Sequence, residues 1–449
     1  MSSSGHRPTR RTVLRQFALL SMAVLALQAR APAHAAGNAV VTTSPSPEPP
    51  ATGAPRRLAG VKSWGYQLVK IDPAVIAKSP YDLVVIDYSR DGSDKAHFRP
   101  EEVAAMQRQA GGGRRILLAY LSIGEAEDYR AYWNKAWLEP NLPDDKAQSY
   151  EAKRDKLDAE KDQAEARNDE RAVSRLEKEL DKLAEELAAL PRRINSEKAP
   201  PWLEEENPDW PSNFYVHFWE KGWQDLIFGN PDAFLDKILA AGFDGVYLDR
   251  VDAIYEFERA RPTARDEMVD FVVRMAQYAR ARKPAFIVVP QNGEELLQNP
   301  AYLAVIDGIA KEDLFYGTAS HKVGNETAPA VGQGKPKIAA DSAKTNSRLP
   351  VTNTAIEVET SLRRLTDATG AGLPVLVVEY FDGRNSQDWV MDAKSKIAAT
   401  GFIGYIGVRK LDELVLPGQT SASAGTAQRL REAPASSPDG GASRSRKKR

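Results

Sequence analysis

Carboxylates recur in this 449-residue sequence wherever an apolar run stops. "DLVVIDYS" (82–89) ends in Asp87 and Tyr88, and Asp91 follows. "RILLAYLSIGE" (115–125) carries Tyr120 and ends in Glu125, with Glu127 and Asp128 beyond it. "DGVYLDRVD" (244–252) delivers Asp249 and Asp252. "AFIVVPQN" (285–292) ends in Gln291 and Asn292. "GIAKEDLFY" (308–316) supplies Lys311, Glu312, Asp313 and Tyr316, and "LPVLVVEYF" (373–381) supplies Glu379 and Tyr380. The chain has no cysteine, and its five histidines show no ligand-type spacing. Thiolate catalysis and thiolate metal sites are therefore removed, and a histidine-rich zinc hydrolase is a poor fit. Carboxylate chemistry remains. Two carboxyl groups flanking one bond suit glycoside hydrolysis, in which one protonates the leaving oxygen and the other attacks or activates water. Their surroundings must keep one protonated and the other ionised. Asp249 and Glu312 are the natural pair, because each directly follows a strand-like run. The same acids would also suit Mg²⁺ or Ca²⁺. Asp252, Glu127 and Asp313 also fall where helix caps are expected.

Such residues need elements that bring them together. "SWGYQL" (63–68) and "FIGYIGVRK" (402–410) raise the number of strand-like runs to eight. The runs are continuously apolar, which suits strands buried on both faces of a parallel sheet. Helical stretches such as "RDEMVDFVVRMAQYARAR" separate them. Eight strand–helix units predict the α/β class and a (β/α)₈ TIM barrel, with a doubly wound open sheet as the alternative. No glycine-rich phosphate loop follows the first run. In a barrel the strand ends converge, so the acids would line one acidic pocket. Trp64, Tyr88, Tyr120, Tyr316, Tyr380 and Trp210 would offer rings to the C–H faces of a sugar. Plain core packing is the other reading, above all for Trp219, Trp223 and Tyr247.

One segment breaks the rhythm. Residues 149–191, between the third and fourth runs, are almost wholly charged or small. Leu176, Leu180, Leu183, Leu187 and Leu190 follow heptad spacing, with a poorer seam at Leu157 and Ala164. "ARND" (166–169) would break the helix. A charged, coiled-coil-like helical hairpin is expected, packed on itself or used for self-association.

The rest of the chain bounds the setting. The apolar fraction of 42% supports a sizeable core, and the net charge of −1 gives no drive toward nucleic acid. Residues 1–36 read as an export signal: a basic start, the apolar core "FALLSMAVLALQA" and an "AHA" cleavage site. Arg10-Arg11 with "TVL" resembles a twin-arginine leader. No later stretch is long enough to cross a membrane, so a periplasmic or extracellular protein is expected. Residues 37–57 read as a disordered linker, 58–416 as the catalytic domain and 417–449 as a disordered basic tail. The Lys-bearing stretch "ASHKVGNETAPAVGQGKPKIAADSAKTNSRLP" between the sixth and seventh runs has no evident role.

Eight motifs in order, "WGYQL", "YDLVVIDYSRDG", "LAYLSIGEAEDYRAYW", "ENPDWPSNFYVHFW", "GFDGVYLDRVDAIY", "PQNGEELL", "GIAKEDLFYG" and "LVVEYF", together resemble glycoside hydrolase family 114, the endo-α-1,4-polygalactosaminidase-like barrels. The resemblance covers roughly 61–416 apart from 141–200. It implies cleavage of α-1,4-linked galactosamine polymers, with the family's catalytic aspartate falling on Asp249 and its glutamate on Glu312. It further implies Asp249 as nucleophile and Glu312 as acid/base of a retaining mechanism, with no cofactor and no metal. A cationic amino-sugar polymer makes sense of an acid ring, in which Asp87, Asp91, Glu125 and Glu379 would pair with amines. Asp252, Gln291 and Asn292 complete the expected substrate contacts. The alternative is a barrel that binds polysaccharide without cleaving it.

Overall fold

A computed structural model describes residues 57–318, 350–381 and 387–418. The export signal, the 37–56 part of the linker, most of the Lys-bearing stretch and the basic tail beyond 418 lie outside the described residues. Arg57, read as the last linker residue, is instead tied to the fold: its guanidinium pairs with Asp307 at 2.8 Å.

Each of the eight apolar runs supplies one strand. They are β1 (Trp64–Gln67), β2 (Leu83–Ile86), β3 (Ile116–Ser122), β4 (Gly245–Asp249), β5 (Ile287–Pro290), β6 (Ile309–Glu312), β7 (Val375–Tyr380) and β8 (Ile403–Gly407). The first five form one parallel sheet in sequence order, and the last three form another. The register runs Trp64↔Leu83, Leu83↔Ile116, Leu118↔Gly245 and Gly245↔Ile287 in the first, and Ile309↔Val375 and Leu376↔Ile403 in the second. A parallel bridge between Gln291 and Ala310 joins β5 to β6. At the other end, the Trp64 indole N–H donates to the carbonyl of Ile403, 2.8 Å away. Leu68 and Val69 also donate their amides to the Leu411 carbonyl.

Helices cover the strands. Pro73–Lys78, Pro100–Gln107, Phe234–Ala241, Ala264–Arg282, Pro300–Val305, Ala355–Gly370 and Gln387–Thr400 each precede the next strand, giving a mixed α/β fold. The Ala355–Gly370 helix starts from a capping box, in which Thr354 and Glu357 each satisfy the other's backbone amide. All residues of β1, β2, β5 and β7 are buried, and the Val, Ile and Leu runs of β2, β5 and β7 suit strands covered on both faces. Among the described residues, no helix is long and apolar enough to cross a membrane.

The loop leaving β3 is a structure of its own. Glu125–Glu127 pairs antiparallel with Asn213–Val216, which pairs with Leu203–Glu206. A short ribbon, Leu138–Pro140 against Arg192–Ile194, then carries two helices, Asp144–Ala166 and Glu170–Ala188. This helical hairpin starts five residues earlier than expected and ends before Leu190. Leu157, Ala164, Leu176 and Leu183 form its private core, flanked by Leu180 and Leu187. The leucine seam is thus used within the hairpin, and Asp169 caps the second helix on the Ala172 amide.

Candidate active site

Asp249 is the last residue of β4, so the strand itself delivers its carboxylate to a cavity of about 480 Å³. Both oxygens are held. Oδ2 accepts from the Tyr120 hydroxyl at 2.7 Å. Oδ1 accepts from the Gln291 amide at 2.9 Å and the Arg250 backbone N–H at 2.8 Å. The Gln291 orientation is fixed in turn, because its carbonyl oxygen accepts from Tyr247 at 2.6 Å. Glu312, the last residue of β6, lines the same cavity. Its carboxylate accepts from Asn292 and Tyr380, each at 3.2 Å. Below these groups Trp64, Tyr66 and Tyr247 pack ring against ring, with centroids 5.1 to 6.1 Å apart.

Burial raises both acids. Asp249 is pushed up to about 7, first by desolvation, then by the charges of Glu312 and Asp252. Glu312 is raised by desolvation and by Asp313, against the pull of Arg409. The hydrogen bonds on Asp249 act in the opposite sense and favour its ionised form. Both carboxyls are thus raised, and the charge that is better supplied with hydrogen-bond donors is that of Asp249.

Three strand ends share a backbone device. Arg250, Asn292 and Asp313 follow Asp249, Gln291 and Glu312, and adopt φ of 60°, 60° and 52°. Left-handed conformations are uncommon outside glycine and mark a chain held by its surroundings. At Arg250 this turn presents the backbone N–H to the side chain of Asp249. The turn also needs Gly124, because a Cβ there would lie 2.1 Å from the Arg250 carbonyl oxygen.

Two of the four acids expected to form a ring, Asp87 and Glu125, arrive with cations of their own, and so do their neighbours Glu127, Asp252 and Asp313. Arg130, fully buried, pairs with Asp87 at 2.8 Å and Glu127 at 2.6 Å. Arg250 pairs with Glu125 at 2.9 Å and reaches Asp252 at 3.5 Å. Asn207 donates to Glu125 at 2.7 Å, yet burial still raises Glu125 to about 7. Arg409 binds Asp313 at 2.8 Å and lies over the Tyr380 ring, and Lys311 pairs with Glu294 at 3.3 Å. The expected acidic pocket is thus a lattice of compensated pairs around Asp249 and Glu312. Among the described residues, no cluster of His, Cys, Asp and Glu is arranged to hold a metal ion.

Of the expected substrate contacts, Asp87, Asp91, Tyr120, Glu125, Asp252, Gln291 and Tyr380 line the cavity with the pair. Four do not. Tyr88 points away, with its hydroxyl on Asp94 and its ring against Phe234. Asn292 stands behind the site, bridging Glu312 and Asp252. Tyr316 stacks on Trp389 and bonds Asp392. Glu379 is wholly buried and accepts the backbone N–H groups of Phe315 and Tyr316 at 2.7 and 3.2 Å. Strand alternation explains two of these: neighbours in an extended chain face opposite sides, so Asp87 and Tyr380 exclude Tyr88 and Glu379, whereas Asn292 sits in the left-handed turn that follows Gln291. Tyr66, Arg90, Gly92, Tyr129, Arg250 and Arg409 also line the cavity without having been expected to. For Tyr66 the same alternation, counted from Trp64, was the available signal.

Two half-buried carboxylates ending parallel strands in one cavity are the equipment of a glycoside hydrolase. The chain belongs to the glycoside-hydrolase family GH114, whose profile matches residues 188–422. An uncharacterized protein of Deinococcus radiodurans is 30% identical over 381 residues, spanning 84% of this chain and 88% of that protein. Uncharacterized protein MJ1477 of Methanocaldococcus jannaschii is 30% identical over 367 residues, spanning 78% of this chain and 77% of that protein. Among solved structures, the glycoside hydrolase domain of PelA from Pseudomonas aeruginosa is similar over 80% of this chain and 99% of that domain, with a TM-score of 0.47 and 14% identity.

Proposed function

We propose that this protein hydrolyses an α-1,4-linked, galactosamine-containing polysaccharide, using Asp249 as nucleophile and Glu312 as acid/base. The eight strands close into a (β/α)₈ barrel on this reading, with the Gln291–Ala310 bridge and the Trp64–Ile403 hydrogen bond as the two seams. The observation that carries the assignment of roles is the asymmetry of the pair. Asp249 accepts three hydrogen bonds from firmly placed donors, which suits a carboxylate that must stay ionised. Glu312 accepts two longer ones and lies beside Asp313, which suits the group that keeps the proton. Attack by Asp249 on the anomeric carbon would release the leaving sugar with the Glu312 proton. Glu312 would then take a proton from the water that resolves the glycosyl ester.

The test is incubation with defined galactosamine, N-acetylgalactosamine and glucosamine oligomers, with products read by mass and the first-formed anomer by NMR. Galactosamine oligomers should be cut with retention, and Asp249→Asn and Glu312→Gln should abolish cutting. Product formation that survives Asp249→Asn, or none from the unaltered chain, sinks the reading. Export through the amino-terminal signal is part of the same proposal, supported by the residue pattern of 1–36. The mass of the mature protein from a bacterial host checks it.

A further inference from the structure

Tyr129 is an aromatic residue at the cavity that the carboxylate chemistry does not use. It is 48% exposed, yet its hydroxyl end is buried, which holds the phenol well above its ordinary pKa. The hydroxyl donates to Glu127. Glu127 is clamped by Arg130, whose guanidinium lies 4.9 Å from the Tyr129 ring centroid. Gly92 supports the ring as well: a Cβ there would lie 2.5 Å from Tyr129 Cδ2. The hydroxyl end and the ring are therefore held, while the exposed part of the ring lines the cavity that Asp249 and Glu312 share. A ring held this way has little conformational freedom to lose when a ligand packs on it.

Asp91, the residue before Gly92, lines the same cavity. Hydrogen bonds from Ser93 hold its carboxyl below the usual carboxylate range, so it is ionised at neutral pH. Its Oδ1 takes the Ser93 amide at 2.9 Å and the Ser89 hydroxyl at 3.4 Å. Among the described residues, no lysine or arginine pairs with it, in contrast to Asp87 and Glu127 on Arg130. A rigid aromatic face and an uncompensated carboxylate thus stand side by side.

We propose that Tyr129 and Asp91 form a sugar subsite, in which the Tyr129 ring stacks on a pyranose face and Asp91 pairs with a cationic substituent of the same sugar. The inference rests on the amino-polysaccharide reading above. Aromatic faces attract both the C–H face of a sugar and an adjacent ammonium.

Calorimetric titration of the full chain with galactosamine oligomers of increasing length, and with their N-acetylated counterparts, tests it. The variants are Tyr129→Phe, Tyr129→Trp, Tyr129→Ala and Asp91→Asn, each checked by thermal melting. Tyr129→Ala should weaken binding of the longer free-amine oligomers roughly tenfold. Tyr129→Phe and Tyr129→Trp should keep wild-type affinity, because they keep the face. Asp91→Asn should weaken the free-amine oligomers and leave the acetylated ones alone. A purely structural role, acting through Glu127 and Arg130, would make Phe as poor as Ala, and that result overturns the subsite. Equal affinity in Tyr129→Ala and wild type overturns it too, while leaving the substrate reading in place. Oligomers that fail to bind the unaltered chain overturn both. Should Tyr129→Ala not fold, the exposed Asp91→Asn decides, and unchanged free-amine affinity there counts against the proposal.

Discussion

Gln291 aims its amide nitrogen at Asp249 Oδ1, 2.9 Å away, because Tyr247 occupies its carbonyl oxygen at 2.6 Å. Replacing Gln291 with Met removes the donor and strands the buried Tyr247 hydroxyl. Losing a donor to a carboxylate disfavours its charged form, so Asp249 should titrate higher still. The acidic limb of the rate profile should move to higher pH, and stability should fall by about 1–3 kcal/mol for the unsatisfied hydroxyl. A pH–rate profile with unmoved limbs would show that Gln291 does not set the Asp249 charge.

Tyr120→Phe removes one hydrogen bond from Asp249 Oδ2 and nothing else of the same size. The same upward shift of the acidic limb is expected, with kcat reduced about tenfold for one lost charge-assisted bond. Measuring kcat from pH 4 to 9 distinguishes this from a loss of substrate binding, which would appear in KM alone.

Glu379 is a stability titration rather than a catalytic one. Burial raises its carboxyl to about 8, well above the usual carboxylate range, against the donors Phe315 and Tyr316. A group with a raised folded pKa contributes stability that is full below its unfolded pKa and lost as pH rises through the folded one. Wild type should therefore lose stability relative to Glu379→Gln between about pH 4.5 and 8, by up to roughly 1.4 kcal/mol per pH unit. Urea unfolding of both proteins at pH 5 and pH 8 reads the difference; a gap that does not change with pH would place the proton elsewhere.

Arg130→Met leaves Asp87 and Glu127 facing each other without their shared cation. Breaking a buried pair from one side costs about 3–5 kcal/mol. Arg130→Lys should recover only part of this, since an ammonium lacks the planar fork that serves two carboxylates at once. Melting temperatures rank the three proteins.

Gly124→Ala should reach the Asp249 carboxylate from a distance. Its methyl would push on the Arg250 carbonyl, and Arg250 carries an amide bound to Asp249. A loss of about 1–3 kcal/mol is expected, together with reduced kcat. Full activity in a folded Gly124→Ala would mean the Arg250 turn is free to move.

The eight strands were legible because each is a short, continuous apolar run with a helix behind it, a pattern set by burial on both faces. Asp249 and Glu312 were legible for the same reason, since a charge that closes such a run has to be accounted for. The pairing lattice was not. Nothing local to Asp87 says that Arg130, 43 positions away, is its partner. The antiparallel sheet around Glu125–Glu127 was also missed, because its strands are only three or four residues long and two of them, Glu125–Glu127 and Leu203–Glu206, are acidic. The confusion of Tyr88 and Glu379 with their neighbours had a different origin. It arose from reading strand ends as clusters rather than as alternating faces.

The helical hairpin leaves and re-enters the fold at Pro140 and Arg192, which are paired across one short ribbon. Its ends are thus already held together, and its leucines are satisfied within it. An appendage wired in this way is exchangeable: it can be lengthened, shortened or replaced by another hairpin of matching span without disturbing the register of the parallel strands. Such variation lies outside the strands that end in Asp249 and Glu312, so one α/β scaffold can carry different attachments.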